Sequence, residues 1–532
     1  MLLRANNLRV GLDNEKNLTD VAASKLHLGK GSIKSLKILR RAIDARRKNN
    51  VCLVYHVLLD VDVSPAKEKR LLNDSNVVLW KEETLPPVKY GREHLTERPI
   101  VIGSGPAGLM AALELAKNGY CPLILERGKA LQQRVKDVER FWQSGEFNPV
   151  SNVQFGAGGA GTFSDGKLTT RVNDPVLNSI LKAFVRAGAP ETILYEQKPH
   201  VGTDKLRAMV TGLIKEINSL GGKISYETQA VDFITSEKGI TGVELSSGER
   251  LLTNAVILAC GHSARDTYEA LAKKHIAVEA KDFAVGVRIE HEQALINRAQ
   301  YGDYADNPKL GAADYALIFH EKTTGRTAYS FCMCPGGKVV ASASEAGGVV
   351  TNGMSLYQRN SGLANSALVV NVGRGDFGTN PLAGVEFQRK YERLAYEAGG
   401  RDYKAPAQNT VSFMANAGPS LAVGFQPSYR PGLVAANLDD VLPAFVTAAL
   451  RGGLKNFAGR LPGFAKEGLM VGVETRTSAP LRILRGTDGQ SVSHKGLYPA
   501  GEGAGYAGGI MSAALDGYHQ ALHIMERFAP VK

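Results

Sequence analysis

The sequence has few cysteines, no long apolar run and none of the common metal or hydrolase motifs. Five cysteines in 532 residues, with a single close pair, do not form a disulfide framework and suit a reducing compartment. No apolar run reaches the roughly 18–20 residues of a membrane span, and the first seven residues lack the apolar core of a secretory signal. H-E-x-x-H, G-x-S-x-G and C-x-x-C do not occur. We therefore predict a cytoplasmic protein with no membrane span, metal site or hydrolase centre.

Length, glycine content and charge distribution further restrict the possible domain organisation and function. A chain of 532 residues is too long for one hydrophobic core, so two to four domains are expected. The 58 glycines indicate nucleotide-binding turns, because glycine lets a backbone approach a ligand closely. The net charge is +12, but residues 1–50 carry +8 of it and the other 482 residues only +4. The basic character therefore belongs mainly to the N-terminus.

The pattern of residues 1–90 predicts a small basic α/β domain. Residues 91–98 follow two adjacent prolines and are predicted to form a linker. Within this domain we expect a helix from about residue 17, a basic helix over residues 32–48 and a strand over residues 51–59. The basic helix would present Arg40, Arg41, Arg46, Arg47 and Lys48. This face either contacts a nucleic acid or is a solvated helix face, and the lack of stacking aromatics other than Tyr55 favours the second.

The strongest pattern of the chain begins at residue 99. A short apolar strand runs into G-S-G-P-A-G at residues 103–108, a helix follows, and a second strand ends at Glu126, 23 residues after Gly103. This order of strand, glycine turn, helix, strand and acid is the fingerprint of a dinucleotide site. Its phosphates would face the helix N-terminus, and Glu126 would accept both hydroxyls of the adenosine ribose. We assign to this site Gly103, Gly105, Pro106, Ala107, Gly108, Glu126 and Arg127.

The far end of the chain distinguishes FAD from NAD. Residues 496–517 combine a strand, an acid within glycines and a helix that opens on glycines. This pattern resembles the second FAD motif of the glutathione reductase superfamily. The resemblance implies that Glu502 binds the ribityl or pyrophosphate portion of FAD and that the following helix points at the flavin pyrimidine. It also implies that Val231, in a predicted three-stranded meander over residues 223–252, contacts adenine. The predicted FAD contacts here are Val231, Gly261, Gly501, Glu502, Gly508 and Gly509.

Another glycine cluster lies at residues 152–167, where no clear strand precedes it and no good helix follows. We predict a loop that passes close to the pyrophosphate or ring of FAD at Gly158 and Gly159, because such glycines permit close backbone approach. The alternative is a plain flexible loop.

Taken together, these motifs, with F-A-V-G-V-R-I-E-H at 283–291 and Y-S-F-C-M-C-P-G-G at 329–337, resemble the uncharacterised bacterial FAD-dependent dehydrogenases over roughly residues 95–530. The resemblance implies an α/β fold with a bipartite Rossmann-like FAD-binding domain. We expect its two parts at residues 99–280 and 476–532, separated by an inserted mixed α+β substrate domain over residues 281–475.

Cys332 and Cys334 are the candidate catalytic residues. On one strand face their Cα atoms would lie nearly 7 Å apart, at the limit of what a disulfide spans, so any bond would be strained and easily reduced. The alternative is a pair of small buried residues. Four arginines could bind an anionic substrate, or be solvated: Arg326, Arg359, Arg374 and Arg476.

The motifs predict an FAD-dependent oxidoreductase that transfers hydride between flavin and an unidentified organic substrate. Because the sequence contains one complete fingerprint, NAD(P)H or a protein electron carrier would be a transient partner. The alternatives are an RNA-associated or a redox-sensing flavoprotein in which the basic N-terminal domain recruits the partner. The sequence does not fix an oligomeric state.

Overall fold

The structure is a computed structural model that describes residues 1–29, 31–82 and 84–531. Within those ranges no helix combines the length and the apolarity needed to cross a bilayer. The helices are Leu18–Lys25 (α1), Pro65–Leu72 (α2), Pro106–Lys117 (α3), Leu131–Ser144 (α4), Val176–Arg186 (α5), Thr203–Ser219 (α6), Arg265–Lys273 (α7), Gln293–Tyr301 (α8), Arg374–Phe377 (α9), Ala383–Ala398 (α10), Thr410–Met414 (α11), Ala444–Ala458 (α12) and Ile510–Arg527 (α13).

The strands form sheets of four, three, five and seven strands and two two-stranded pairs. In the first half of the chain they are Leu2–Gly11 (β1), Ile33–Asp44 (β2), Cys52–Val61 (β3), Val77–Leu79 (β4), Ile100–Ile102 (β5), Leu123–Leu125 (β6), Lys223–Ser225 (β7), Ala230–Ser236 (β8), Gly239–Leu245 (β9), Arg250–Leu252 (β10) and Val256–Leu258 (β11). In the second half they are Val278–Ala280 (β12), Phe283–Glu292 (β13), Ile318–His320 (β14), Thr327–Cys334 (β15), Gly337–Ala341 (β16), Thr351–Ser355 (β17), Leu363–Val372 (β18), Ala405–Asn409 (β19), Leu433–Ala435 (β20), Leu469–Glu474 (β21), Leu481–Ile483 (β22) and Leu497–Pro499 (β23).

The N-terminal residues form an antiparallel sheet of order β2-β3-β1-β4. With α1 and α2 between the strands, this is the β-α-β-β-α-β arrangement of ferredoxin-like domains. Leu3, Val57 and Leu59 are buried in its core. The small α/β domain and the helix from residue 17 are confirmed, with Asn17 capping α1 through its side chain.

The basic helix predicted for residues 32–48 is wrong, since these residues form β2. Ten residues of this strand pair with β3, from Ile33 opposite Val61 to Asp44 opposite Cys52. The branched side chains of Ile33, Ile38 and Ile43 suit an extended strand. The dense Lys and Arg residues carried no helical periodicity, so the cross-strand pairing decides the conformation.

A parallel sheet of order β23-β11-β5-β6-β7 follows. Its strand β23 comes from the C-terminal part of the chain and pairs with β11, so the bipartite Rossmann-like arrangement is confirmed. Helices α3 and α13 pack on each other and share one buried cluster with the sheet. The predicted meander is confirmed over residues 230–252 as the antiparallel sheet β10-β9-β8, whereas residues 223–225 form β7 of the parallel sheet.

The inserted segment forms a mixed seven-stranded sheet of order β14-β15-β18-β13-β21-β19-β20. Its long central strands β13 and β18 pair over ten residues and are almost wholly buried. Helix α12 packs against one face through Val446, Leu450 and Phe457. The strand β21 ends at Glu474, and the chain returns from there toward the parallel sheet.

Candidate cofactor and active site

The fingerprint turn has the geometry that its glycines predict. Gly103 has a φ of +99°, a conformation that favours glycine, and a Cβ there would overlap the carbonyl oxygen of Ala259. Gly105 caps α3 and Pro106 begins it, where a missing N–H costs nothing. A Cβ at Gly108 would overlap the carbonyl oxygen of Gly103. The turn therefore closes tightly, and the free N–H groups at the start of α3 face outward.

The buried carboxylate of Glu126 binds the turn itself. Its Oε2 accepts hydrogen bonds from the backbone N–H (3.0 Å) and the hydroxyl (2.6 Å) of Ser104. Its Oε1 accepts from the N–H groups of Gly128 (2.9 Å) and Gly156 (3.0 Å). A carboxylate has about four acceptor positions, and here each receives a donor of the protein. The ribose contact predicted for Glu126 stays a prediction, and no sequence pattern indicates this bridging role.

A cavity of about 380 Å³ runs along the turn and falls in the usual size range of ligand sites. Most of the predicted site residues line it: Gly103, Gly105, Pro106, Ala107, Glu126, Arg127, Gly159, Gly261, Cys332, Gly501, Glu502, Gly508 and Gly509. They come from the parallel sheet, from the loop after α4 and from the seven-stranded sheet.

Four predicted residues do not line this cavity: Gly108, Gly158, Val231 and Cys334. Gly108 packs α3 onto the turn, and the N–H of Gly158 donates to the Ser104 hydroxyl at 3.3 Å. Val231 is 39% exposed, and its neighbour Ala230 lines the cavity in its place. Successive side chains of a strand point to opposite faces, so the side chain of Ala230 faces the cavity and that of Val231 does not, and the adenine contact of Val231 stays a prediction.

One end of the cavity is bordered by Arg127. Its guanidinium donates to both carboxylate oxygens of Asp266 at 3.0 Å and lies 4.4 Å from the centre of the Phe155 ring. Gln229 donates to the same carboxylate at 2.6 Å. The Cys260 thiol is next to this group, and burial raises its pKa to about 12, so it is a neutral thiol. This end carries planar groups suited to a nucleoside.

The middle of the cavity fits a dinucleotide diphosphate. A Cβ at Gly261, Gly508 or Gly509 would meet no atom within 4 Å, so three glycine backbones border open space. The N-termini of α3 and α13 both open onto it, and their dipoles favour a negative group. The carboxyl of Glu502 has no hydrogen-bond partner among the described residues. Burial raises its pKa to about 7, and a hydroxyl-rich ligand would give this group the partner it lacks.

Cys332 lies at the other end, on a bulge of β15. The pairing of β15 with β18 shifts register between Phe331 and Cys334, and Cys332 has a φ of +46°. A bulge turns a side chain out of the strand alternation, which explains why Cys332 reaches the cavity while Cys334 stays buried. Both are free thiols, and the Cys334 Sγ donates to the Cys332 carbonyl at 3.3 Å.

The charges around Cys332 favour its thiolate. Interaction with the Cys334 thiol, aided by the positive charges of Lys167 and Arg288, lowers the pKa of Cys332 to about 5 in spite of burial. The same interaction raises the pKa of Cys334. The pair therefore favours a thiolate at Cys332 and a protonated thiol at Cys334.

Lys167 is a cavity residue at the end of the glycine cluster of residues 152–167, and no role is predicted for it from the sequence. Its Nζ lies 2.9 Å from Asp165 Oδ2, and Asp165 also accepts from Arg359 at 2.7 and 3.0 Å. Two cations share one carboxylate, so this corner keeps a positive charge next to Cys332. The sequence signal that could have identified Lys167 is an aspartate and a lysine close after a run of glycines.

Glu474 and Arg476 also line this end, and both are paired. Glu474 accepts from Arg288 at 2.7 and 3.1 Å, and Arg476 donates to Glu392 at 2.8 and 3.0 Å. Of the four arginines predicted to bind an anion, only Arg476 borders the cavity within the described ranges. Arg326 pairs with Asp376, Arg359 pairs with Asp165, and Arg374 is exposed.

Three family models match parts of the chain. Residues 282–477 match an FAD-dependent protein, C-terminal domain-like, and residues 98–297 match a pyridine nucleotide-disulphide oxidoreductase. Residues 2–60 match a domain of unknown function.

Similar chains extend over most of the sequence. An uncharacterized protein of Clostridium beijerinckii is 46% identical over 534 residues, which cover 99% of each chain. Among solved structures, CtdE in complex with FAD is 13% identical, covers 81% of this chain and 84% of its own, and has a TM-score of 0.33. Glycine oxidase from Bacillus cereus is 12% identical, covers 80% and 94%, and has a TM-score of 0.33. With its fingerprint, its FAD-dependent domain and its full-length relative, this chain belongs to an uncharacterised family of FAD-dependent oxidoreductases.

Proposed function

We propose that this flavoprotein transfers hydride between FAD and a small organic substrate, as a dehydrogenase or reductase. The observation that supports the proposal is the continuity of the cavity, which runs from the fingerprint glycines to Cys332, Asn352 and Glu474. Residues of two sheets border one space, so a flavin held by the parallel sheet would meet a substrate held by the other.

The residues at each end have separate roles in this proposal. FAD supplies hydride acceptance and donation when it is bound. The N-terminus of α3 binds its diphosphate, the N-terminus of α13 points at its flavin pyrimidine, and Glu502 faces its ribityl or diphosphate portion. Cys332 holds or releases a proton at Sγ, Lys167 stabilises the thiolate, and Cys334 is the neighbouring thiol that favours it. His262, whose pKa burial lowers to about 3, borders the same space as a neutral ring.

The electron partner would bind transiently. The fingerprint site is taken by FAD, so NAD(P)H or a protein carrier would exchange electrons at the Cys332 end of the cavity. We also propose the division into residues 1–90, 91–98, 99–280, 281–475 and 476–532, and a cytoplasmic location, where free thiols persist.

The full-length chain tests this function directly. We expect the purified protein to show the visible absorbance of bound flavin, to bleach anaerobically with NADH or NADPH, and to reoxidise with one class of organic acceptor. Cys332→Ala should keep the flavin but slow reoxidation by about tenfold or more, since general acid–base groups contribute at least this much. Cys52→Ala, a buried thiol of the N-terminal domain, is the control. A protein that takes up no FAD, or whose bound flavin no donor reduces, would contradict the proposal.

A second candidate function rests on the N-terminal domain. Arg4 lies opposite Leu58 and Val78, and Lys37 lies opposite Leu58 on the other side, so these residues form one cross-strand row. Arg40 lies opposite His56 in the adjacent position. The row occupies the face away from the helices, and single-stranded RNA is bound on this face in other domains of the same topology.

Salt dependence tests this RNA candidate. We expect single-stranded RNA to bind the full chain more weakly as salt rises, and the triple variant Arg4→Ala/Lys37→Ala/Arg40→Ala to reduce the logarithmic salt slope by about 2. Lys67→Ala/Lys69→Ala/Arg70→Ala on α2 removes equal charge from the helical face and is the control. Absence of binding at low salt would end this candidate.

A further inference from the structure

Arg134 is a fully buried arginine that bonds only to backbone carbonyls. It lies on α4 and is 0% exposed. Its Nε donates to Asn152 (2.9 Å), Nη2 to Val153 (2.9 Å), and Nη1 to Gly156 (3.2 Å) and Ala157 (2.7 Å). One guanidinium therefore gathers four carbonyl groups of the glycine loop between residues 152 and 157.

The charge of Arg134 has no direct counterion in the part of the chain that the structure describes. Its hydrogen-bond partners are neutral carbonyls, and the nearby charge of Glu126 acts on it only at longer range. Burial lowers the pKa of Arg134 to about 9, because removal from water disfavours the charged form of the side chain. An uncompensated buried charge is expensive, so a fold that keeps one needs a negative group nearby.

The loop that Arg134 holds is pressed against the fingerprint on its other side. The N–H of Gly156 donates to Glu126, and the N–H of Gly158 donates to Ser104. A Cβ at Gly159 would lie 2.8 Å from the Cα of Gly105, and a Cβ at Gly156 would overlap the Arg134 side chain. The carbonyls thus face Arg134, while N–H groups of the same loop face the fingerprint.

We propose that Arg134 is a positioning residue for the diphosphate of FAD. It acts through the loop: by collecting four carbonyls it fixes the peptide planes whose N–H groups face Glu126 and Ser104, and it keeps Gly159 at the cavity wall. Its positive charge lies one peptide layer behind that wall and is balanced when the diphosphate binds. The proposal depends on FAD binding and not on the substrate, so it stands or falls independently of the proposed reaction.

Ligands that carry different parts of FAD test the proposal. We expect Arg134→Met to weaken the binding of FAD and of ADP to the apoprotein by about tenfold or more, because both carry the diphosphate. Riboflavin, which carries no phosphate, should bind within twofold of wild type. Arg134→Lys keeps the charge but cannot reach four carbonyls, so we expect a smaller loss with the same ligand pattern. The measurements are flavin fluorescence quenching for FAD and riboflavin, and competition for ADP.

The matched control is Arg140→Met, on the same helix, where the arginine is 53% exposed and pairs with Glu146. We expect no change in any of the three affinities. If Arg134→Met does not fold, Arg134→Lys decides the question. A variant that lowers the melting temperature of the apoprotein but binds FAD and ADP within twofold of wild type would overturn the proposal, as would an equal loss for riboflavin.

Discussion

At the scale of single residues, the reactivity of Cys332 depends on Lys167. We expect Lys167→Met to raise the pKa of the Cys332 thiol, because the variant removes a positive charge that favours the thiolate. Alkylation of Cys332 by iodoacetamide in the apoprotein should then slow by about twofold to fourfold near pH 6.5, since the thiolate is the nucleophile.

Mass spectrometry of the Cys332 peptide over a pH series measures this change. In the wild type we expect the rate to reach half its maximum well below pH 8.5, in line with a pKa of about 5. Lys198→Met, at a 64% exposed lysine paired with Asp314, should leave the profile unchanged. An ordinary thiol profile in the wild type would contradict the proposed thiolate.

Glu502 is expected to destabilise the apoprotein at neutral pH. Burial raises its folded pKa to about 7 from the ordinary value of 4.5, so the folded state binds the extra proton between these two values. The free energy of unfolding should therefore fall as pH rises from about 4.5 to 7 and then level off. Glu502→Gln removes this loss, and we expect it to stabilise the apoprotein at pH 8 by about 1–2 kcal/mol and to change little at pH 4.5.

Urea unfolding of wild type and Glu502→Gln at the two pH values measures the difference. Glu227→Gln replaces another glutamate, one that does not line the cavity, and is the control. If the variant and the wild type have equal free energies of unfolding at both pH values, burial of the charged Glu502 carboxylate does not destabilise the apoprotein. Weaker FAD binding by the same variant is expected, because the carboxyl faces the cofactor cavity.

The site residues that could be predicted from the sequence differ in kind from those that could not. Gly103, Gly105 and Gly501 could be predicted because a local turn demands glycine and repeats in a recognisable spacing. Arg134 could not, since it is one of several charged residues in a helix and its four partners lie 18–23 residues away. Glu126 shows both cases: its place was predictable, while its bonds to Gly128 and Gly156 depend on tertiary packing.

At the scale of secondary-structure elements, the same distinction applies. Helix α3 and strand β5 follow from a local pattern of apolar residues and caps. Strand β2 does not, because its lysines and arginines carry no helical periodicity and its pairing with β3 decides the conformation. The bulge at Cys332 was also not predictable, since only the register between β15 and β18 reveals it.

The packing of α3 against α13 gives the prediction at this scale. Gly517 lies where the two helices cross, and a Cβ there would overlap the carbonyl oxygen of Ala107. Gly517→Ala should force the helices apart and destabilise the protein by about 1–3 kcal/mol, despite the better helix propensity of alanine. FAD binding should weaken as well, because both helix N-termini border the cavity. Thermal unfolding with and without FAD measures both effects.

Gly375→Ala is the matched control for this helix packing. Gly375 lies in the short helix α9, and a Cβ there would meet no atom within 4 Å. We expect it to leave stability and FAD binding unchanged within error. Equal melting temperatures for Gly517→Ala and wild type would mean that the crossing of α3 and α13 is looser than the structure indicates.

At the scale of the whole molecule, an ionic cluster joins the two large sheets. Glu392 on α10 accepts from Arg265 on α7 at 2.8 and 2.9 Å and from Arg476 after β21 at 2.8 and 3.0 Å. Thr475 donates to it at 2.7 Å. Burial opposes the charge of this carboxylate, but the two arginines outweigh it and lower its pKa. The bipartite order of the chain was predictable from its two glycine motifs, whereas this junction was not, because its members are 80–130 residues apart.

Glu392→Gln should therefore destabilise the whole protein. Removing one member of a buried ion cluster leaves its partners without compensation, which costs about 3–5 kcal/mol. The lowered pKa adds a pH dependence: the stabilisation is present above the unfolded pKa of about 4.5 and is lost as pH falls toward the folded value. We expect the stability difference between wild type and variant, measured by urea unfolding, to be largest near pH 7 and to shrink under acid.

Glu386→Gln is the control, since Glu386 lies on the same helix, pairs with Arg389 and is 62% exposed. Its loss should cost well under about 1 kcal/mol, as for other surface pairs. If Glu392→Gln unfolds the two large sheets in separate transitions while Glu386→Gln does not, the cluster is what couples them. If both variants unfold like wild type, the apolar contacts between the two large sheets are enough to make the sheets unfold together. The buried cluster then serves only to align the cavity wall at Arg476.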